Sequence, residues 1–269
     1  MKLLEPHSTI VDATGSENAP WLTMVHAASH DQRFFASQVA AFQQDYRLLL
    51  VDLPGHGKSA ALPGPYGFEE YALAVLTAMD AAGVDATHYL GSHTGAAVAL
   101  ILATRHPARF SSLALEGPPL PGVDMPSVTE AYQRARATAR RRGVEPALAE
   151  WFERGPWFEI IRSDPEGRRA DAHWAMVSEF SALPWLDATP AKPVAPLLDL
   201  LPAIRCPVLI INGEHDSGDF LRAAEEITRH LTRGEHLIVP GAGGFPLWEE
   251  PDAVNRRIRA HLQAAAVAA

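Results

Sequence analysis

The sequence predicts an α/β fold, a mostly parallel sheet flanked by helices and interrupted by one helical insertion. Three observations predict it. Short apolar runs recur along the chain, and residues 46–51 (YRLLLV) are nearly continuous, as a strand covered on both faces should be. Helical patterns separate these runs, and strand–helix alternation at this spacing implies a parallel sheet with helices on both faces. From about residue 118 to 202 the rhythm stops: the chain becomes rich in Pro, Arg and Trp and shows no convincing strand.

Taken in order, residues 21–25 (WLTMV) read as a buried strand and 33–44 as a helix. Strand 46–51 follows, then a helix over 68–82. Residues 87–90 are a short strand, 96–105 a strongly apolar helix, and 110–115 the next strand. Beyond the insertion come a strand at 208–212, a helix over about 219–231, a strand at 235–239 and a last helix from Asp252. The expected division is a core domain of residues 1–117 and 203–269 with a helical lid of residues 118–202. An insertion between two strands of an open sheet lies over the strand ends, where ligands bind in such sheets.

Composition bounds the function. The chain has 269 residues, 47% of them apolar, enough for one core without disulfides. The one cysteine, Cys206, heads the apolar run 207–211 and reads as a buried thiol. A net charge of −9 argues against nucleic acid as a partner. The densest basic run, residues 134–142 (RARATARRR), reads as a solvated helix face. The opening MKLLEPHSTI has no long apolar stretch, so neither a signal peptide nor a membrane span is expected, and a cytoplasmic location is. Oligomeric state is not legible.

Residues 90–100 read LGSHTGAAVAL. Gly91, Gly95 and Ala96 are small, which lets the backbone turn sharply from strand to helix and lift residue 93 above the sheet. Four further stretches accompany this one: MVHAASH (24–30), DLPGHGKS (52–59), INGEHD (211–216) and PGAGGFPLWEEP (240–251). In this order they resemble the α/β-hydrolase fold over nearly the whole chain. The resemblance implies that residue 93 fills the nucleophile slot and Asp216 the acid slot. It implies that the amides of Ala28 and Thr94 form the oxyanion hole. It also places the lid between the sixth and seventh strands of that family. Two departures stand out: the nucleophile slot holds His93, and Gly244 stands where the pattern G-A-G-H-F-P has its histidine. Ala27 also stands where glycine is usual, and would be strained if that position required positive φ.

The Ser–His–Asp machine therefore lacks both nucleophile and base, and covalent serine catalysis is not expected. Ser29 and Ser217 lie on nearby loops without an evident activating base. The paired changes read as an imidazole moved from position 244 to position 93, with Gly244 providing the space. Asp216 is then expected to orient His93 and raise its pKa. Glu116, at the end of the strand that includes residues 112–115, is a second candidate orienter. His26, His30, His93, His215 and Asp216 share one end of the sheet, but no short His-x-x-x-His pair lies on one helix, and no metal is expected. His56 reads as a turn residue. Ser29, His30, Trp157, Trp174 and Phe245 are expected to line the pocket, Trp174 because His173 beside it could bring in a polar group.

The function expected is that of a cofactor-independent enzyme acting on a small, largely apolar organic molecule. His93 would work by acid/base chemistry, either activating water for hydrolysis or abstracting a proton for lyase, decarboxylase, isomerase or cyclase chemistry. The alternative is a non-catalytic small-molecule-binding protein on the same frame.

Overall fold

The alternating apolar runs become a seven-stranded sheet in the order β1-β3-β2-β4-β5-β6-β7, seen in a computed structural model that describes residues 5–16 and 18–267. The strands are β1 (Ser8–Val11), β2 (Trp21–Val25), β3 (Arg47–Val51), β4 (Thr87–Ser92), β5 (Phe110–Glu116), β6 (Val208–Gly213) and β7 (Gly234–Val239). All neighbours pair in parallel except β1, which runs antiparallel to β3 with Ile10 opposite Leu49. The central β4 and β6 are buried at every position; β6 accordingly begins as a continuous apolar run, whereas β4 buries Thr87, His88 and Ser92 among its apolar residues. The edge strand β1 is only four residues long and partly exposed, so no two-face burial marks it in the sequence.

Helices cover both faces. The expected helix over 33–44 divides into a 3-10 turn at Gln32–Phe35 and α1 (Ala36–Phe42). Next come α2 (Phe68–Ala81) and α3 (Thr94–Arg105). Helix α3 buries every residue from Thr94 to Ala103, as an apolar helix against a sheet must. Cys206 is buried beside β6.

Between β5 and β6 the chain forms helices and turns without a strand. These helices are α4 (Pro126–Arg142), α5 (Val144–Arg154), α6 (Glu159–Ser163), α7 (Ala170–Ser178) and α8 (Leu183–Leu186). This insertion separates the fifth and sixth described strands; the expected sixth and seventh followed the resembled family's strand count, which is one higher. Within the basic run, Arg140, Arg141 and Arg142 face solvent from α4. The insertion is tied to the core at separate points. Trp151 Nε1 donates to Ser29 Oγ at 3.0 Å, and Ser181 Oγ donates to the Gly55 carbonyl at 2.5 Å. After the sheet resumes, α9 (Gly218–His230) follows β6, and α10 (Pro246–Glu249) and α11 (Pro251–Val267) close the chain. Among the described residues no helix is long and apolar enough to cross a membrane.

Candidate active site

The site begins with a strained turn. Strand β4 ends at Ser92 and α3 begins at Thr94, leaving His93 between them at φ 42° and ψ −100°. A side-chain-bearing residue in such a region costs about 1–3 kcal/mol, so its surroundings must hold it there. They do so through the His93 amide, which donates to the Glu116 carbonyl at 2.8 Å, and the Gly95 amide, which donates to the His26 carbonyl at 3.1 Å. The flanking glycines are required by contact. A Cβ at Gly91 would lie 2.7 Å from the Ala96 nitrogen, and one at Gly95 would collide with the Val25 carbonyl oxygen.

The His93 ring is buried against Phe220 (centroids 4.5 Å apart) and Phe245 (4.8 Å). Its Nε2 lies 2.8 Å from the Gly244 carbonyl oxygen, so Nε2 carries the proton and donates it. Its Nδ1 makes no hydrogen bond among the described residues and is not sealed from solvent, so its lone pair opens on the cavity that His93 lines. Burial lowers the pKa to about 4 against the opposing Gly244 carbonyl. The imidazole is neutral at pH 7. Gly117 sits behind the ring at φ +50°, where a Cβ would come within 2.8 Å of His93 Cε1. The sequence reading missed Gly117; a glycine directly after the strand end was the one available signal.

The expected partnership with Asp216 does not form. Asp216 accepts from Asn212 Nδ2 at 2.8 Å and from the Ser217 amide at 2.6 Å, whereas the His93 ring bonds the Gly244 carbonyl. Burial lifts Asp216 to about 7, against those two hydrogen bonds, and it does not raise the pKa of His93. The reason lies in the lid. A Cβ at Gly244 would stand 2.8 Å from Trp157 Cα, so Trp157 takes the room left by the missing side chain and the imidazole turns to the backbone.

Glu116 does not orient the ring either. Its carboxyl is fully buried, accepting from Ser92 Oγ at 2.5 Å and from the Leu247 amide at 2.6 Å. Burial pushes its pKa well above the usual carboxylate range. It braces the elbow against α10 rather than touching the imidazole.

The oxyanion-hole residues sit at the site with one change. The Ala28 amide donates to Thr94 Oγ1 at 3.2 Å and is therefore engaged by the protein itself. Thr94 supplies the first amide of α3, at the positive end of the helix dipole. Ala27 is not strained: the positive φ in this loop belongs to Ser29, at 62°.

Above the elbow lies a cavity of about 550 Å³ lined mainly by apolar and aromatic side chains. Trp157 and Phe245 line it as expected, joined by Trp151, Trp185, Tyr132 and Phe220, which the sequence reading did not place there. Ser29, His30 and Trp174 are not among its walls. The Ser29 hydroxyl accepts from Trp151. His30 Nε2 lies 2.8 Å from His173 Nε2, a buried pair tying the core loop to α7, and burial lowers His30 to about 3. Trp174 packs on Phe152 instead. His56 does line the cavity, where it stacks on Phe180 at 4.7 Å.

His26 holds loops together, accepting the Leu53 amide at 3.1 Å, and His215 is exposed. Ser217 caps α9. Among the described residues no group of three His, Cys, Asp or Glu side chains is placed to hold a metal.

Comparison with known proteins gives the frame a family. A 2-succinyl-6-hydroxy-2,4-cyclohexadiene-1-carboxylate synthase of Enterobacter sp. (strain 638) is 29% identical over 251 residues, covering 89% of this chain and 90% of that one. A 3-oxoadipate enol-lactonase of Acinetobacter baylyi is 24% identical over 253 residues, covering 93% and 91%. The crystal structure of the enol-lactonase from Burkholderia xenovorans LB400 superposes with a TM-score of 0.77 at 26% identity, covering 96% of each chain. The family model described as alpha/beta hydrolase fold matches residues 20–251. With that match over most of its length, the chain belongs to the α/β hydrolase fold family.

Proposed function

We propose that this protein is a cofactor-independent enzyme acting on a small, largely apolar organic molecule, with His93 as its proton acceptor. One observation carries the reading. Nε2–H is pinned to the Gly244 carbonyl, which fixes the tautomer and leaves the Nδ1 lone pair facing an apolar cavity. A neutral imidazole so placed takes a proton either from water, whose oxygen then attacks a bound carbonyl, or from an acidic C–H of the substrate. The α3 N-terminus at Thr94 favours the negative charge that develops in either reaction. The backbone strain retained at His93 supports a use for its side chain. The enol-lactonase and the carboxylate synthase among its relatives act on small organic molecules by their names, which agrees with this substrate class.

A second reading, a binding protein without chemistry, is favoured by the engagement of the Ala28 amide with Thr94 Oγ1. The test separates them. Purified protein and a His93→Ala variant are incubated with metabolite extract from the source organism and compared by mass spectrometry. The enzyme reading expects a compound consumed by the wild type alone. Gain of water marks hydrolysis, loss of carbon dioxide decarboxylation, and unchanged mass isomerisation or cyclisation. A compound retained unchanged by the wild type marks a binding protein. Consumption by both proteins removes His93 from the chemistry. The rate should also stay level as pH falls through 6.5 and drop only as His93 protonates, near pH 4.

A further inference from the structure

Thr94 and Tyr132 are among the polar residues that line the cavity with His93. Thr94 Oγ1 accepts the Ala28 amide at 3.2 Å, which leaves its own hydroxyl proton to be donated outward. Tyr132 reaches the same place from lid helix α4, its ring edge-on to Trp151 with centroids 5.2 Å apart. Its hydroxyl faces the Thr94 side chain. Both residues line the cavity. Burial pushes the Tyr132 phenol up to about 12, so it holds its proton through the neutral range.

An ordinary oxyanion hole offers two backbone amides. Here one of the two expected amides, that of Ala28, already serves Thr94 Oγ1, and the Thr94 and Tyr132 hydroxyls are further donors among the residues that line the cavity. We propose that Tyr132 is a further catalytic residue, which together with Thr94 donates hydrogen bonds to the carbonyl oxygen of a small ketone whose neighbouring C–H faces His93 Nδ1. The proposal rests on the reading of His93 as base. In the step, the carbon-bound proton passes to Nδ1. The C–H electron pair becomes a C=C bond, and the carbonyl π pair moves onto oxygen as an enolate held by the two hydroxyls. Return of the proton from Nδ1 to oxygen or to another carbon completes a tautomerisation without any co-reactant.

Two measurements test this. The first follows loss of the α-proton signals of phenylacetone in D₂O by proton NMR, with wild type, His93→Ala, Tyr132→Phe, Thr94→Val and Thr94→Ser. The wild type should speed exchange and His93→Ala should not. Tyr132→Phe and Thr94→Val should each lower kcat by about 10- to 1000-fold with little change in KM, while Thr94→Ser retains most of it. The second is the affinity for 4-nitrophenolate, an enolate analogue, read by absorbance. Tyr132→Phe should weaken it about tenfold or more, the loss of one charge-assisted hydrogen bond. If Tyr132→Phe exchanges phenylacetone and binds 4-nitrophenolate like the wild type, the role of Tyr132 is overturned and that of His93 stands. If the wild type does not speed exchange, the base reading of His93 fails, and Tyr132 as an oxyanion donor is decided by the 4-nitrophenolate result alone.

Discussion

At residue 93 the fold keeps the backbone of a nucleophile elbow and places a ring on it. The geometry that makes the ring usable lies in two glycines and one tryptophan rather than in a carboxylate. Gly117 gives the imidazole a wall without a side chain, Gly244 offers it a carbonyl, and Trp157 fills the space beside Gly244. Gly244→Ala is expected to destabilise the protein by about 1–3 kcal/mol, because a new methyl must displace the lid backbone at Trp157. Denaturant unfolding of the two proteins checks this; equal midpoints would show that the lid gives way freely. His93 and Gly244 were both legible as departures from a pattern. The choice between Asp216 and the Gly244 carbonyl was not, because Trp157 decides it. Trp157 is distant in sequence from both His93 and Gly244, and no local signal marks its position.

Elements meet where small residues permit it. Helix α3 approaches the end of β2 so closely that a Cβ at Gly95 would strike the Val25 carbonyl. Gly95→Ala should therefore separate helix from sheet and cost about 3 kcal/mol or more, read as a large drop in thermal midpoint. The lid is fastened by polar contacts at several points, among them Trp151 to Ser29 and Arg168 to Glu249 and Glu250. Removing the indole N–H that donates to Ser29, with Trp151→Phe, should cost about 1 kcal/mol for the hydrogen bond, plus the packing lost from the larger ring. No change in unfolding midpoint would show that this contact does not hold the lid. The buried strands β3 and β6 announced themselves as apolar runs, and small residues around position 93 marked the start of α3. The edge strand β1 and the docking of α7 through His30 and His173 did not, since a half-exposed strand and a buried histidine pair look like loop and surface in one dimension.

Across the whole molecule, buried titratable groups set the response to pH. Burial holds His30, His56, His88, His93 and His173 below the ordinary imidazole value, His30 and His56 at about 3 and His88 and His93 at about 4. Each contributes stability that is complete above the unfolded value of about 6.5 and is lost as pH falls toward the folded one. Burial also raises Asp216 and Glu249 to about 7 and Glu116 well above its ordinary value, which acts in the opposite sense. Their stabilisation is complete below the unfolded carboxyl values near 4 and lost as pH rises toward the folded ones. Between about pH 6.5 and 4.5 the two sets partly cancel, so stability should fall gently with acid. Below about pH 4 Asp216, Glu249 and Glu116 are protonated in both states and no longer oppose the histidines, so the fall should steepen, each unbalanced proton being worth about 1.4 kcal/mol per pH unit. Urea midpoints taken from pH 3 to 8 check this; a plateau extending below pH 4 would contradict it. Composition and net charge carried none of this, because the effect depends on which histidines and carboxyls the fold buries.

The most direct measurement is nitrogen-15 NMR of the histidine side chains as a function of pH, with a His93→Gln variant to assign the signal. The geometry predicts a His93 imidazole with its proton on Nε2 that remains neutral until about pH 4. A proton on Nδ1, or a titration near 6.5 while the protein is folded, would contradict it, because the lone pair would then not face the cavity as a neutral acceptor.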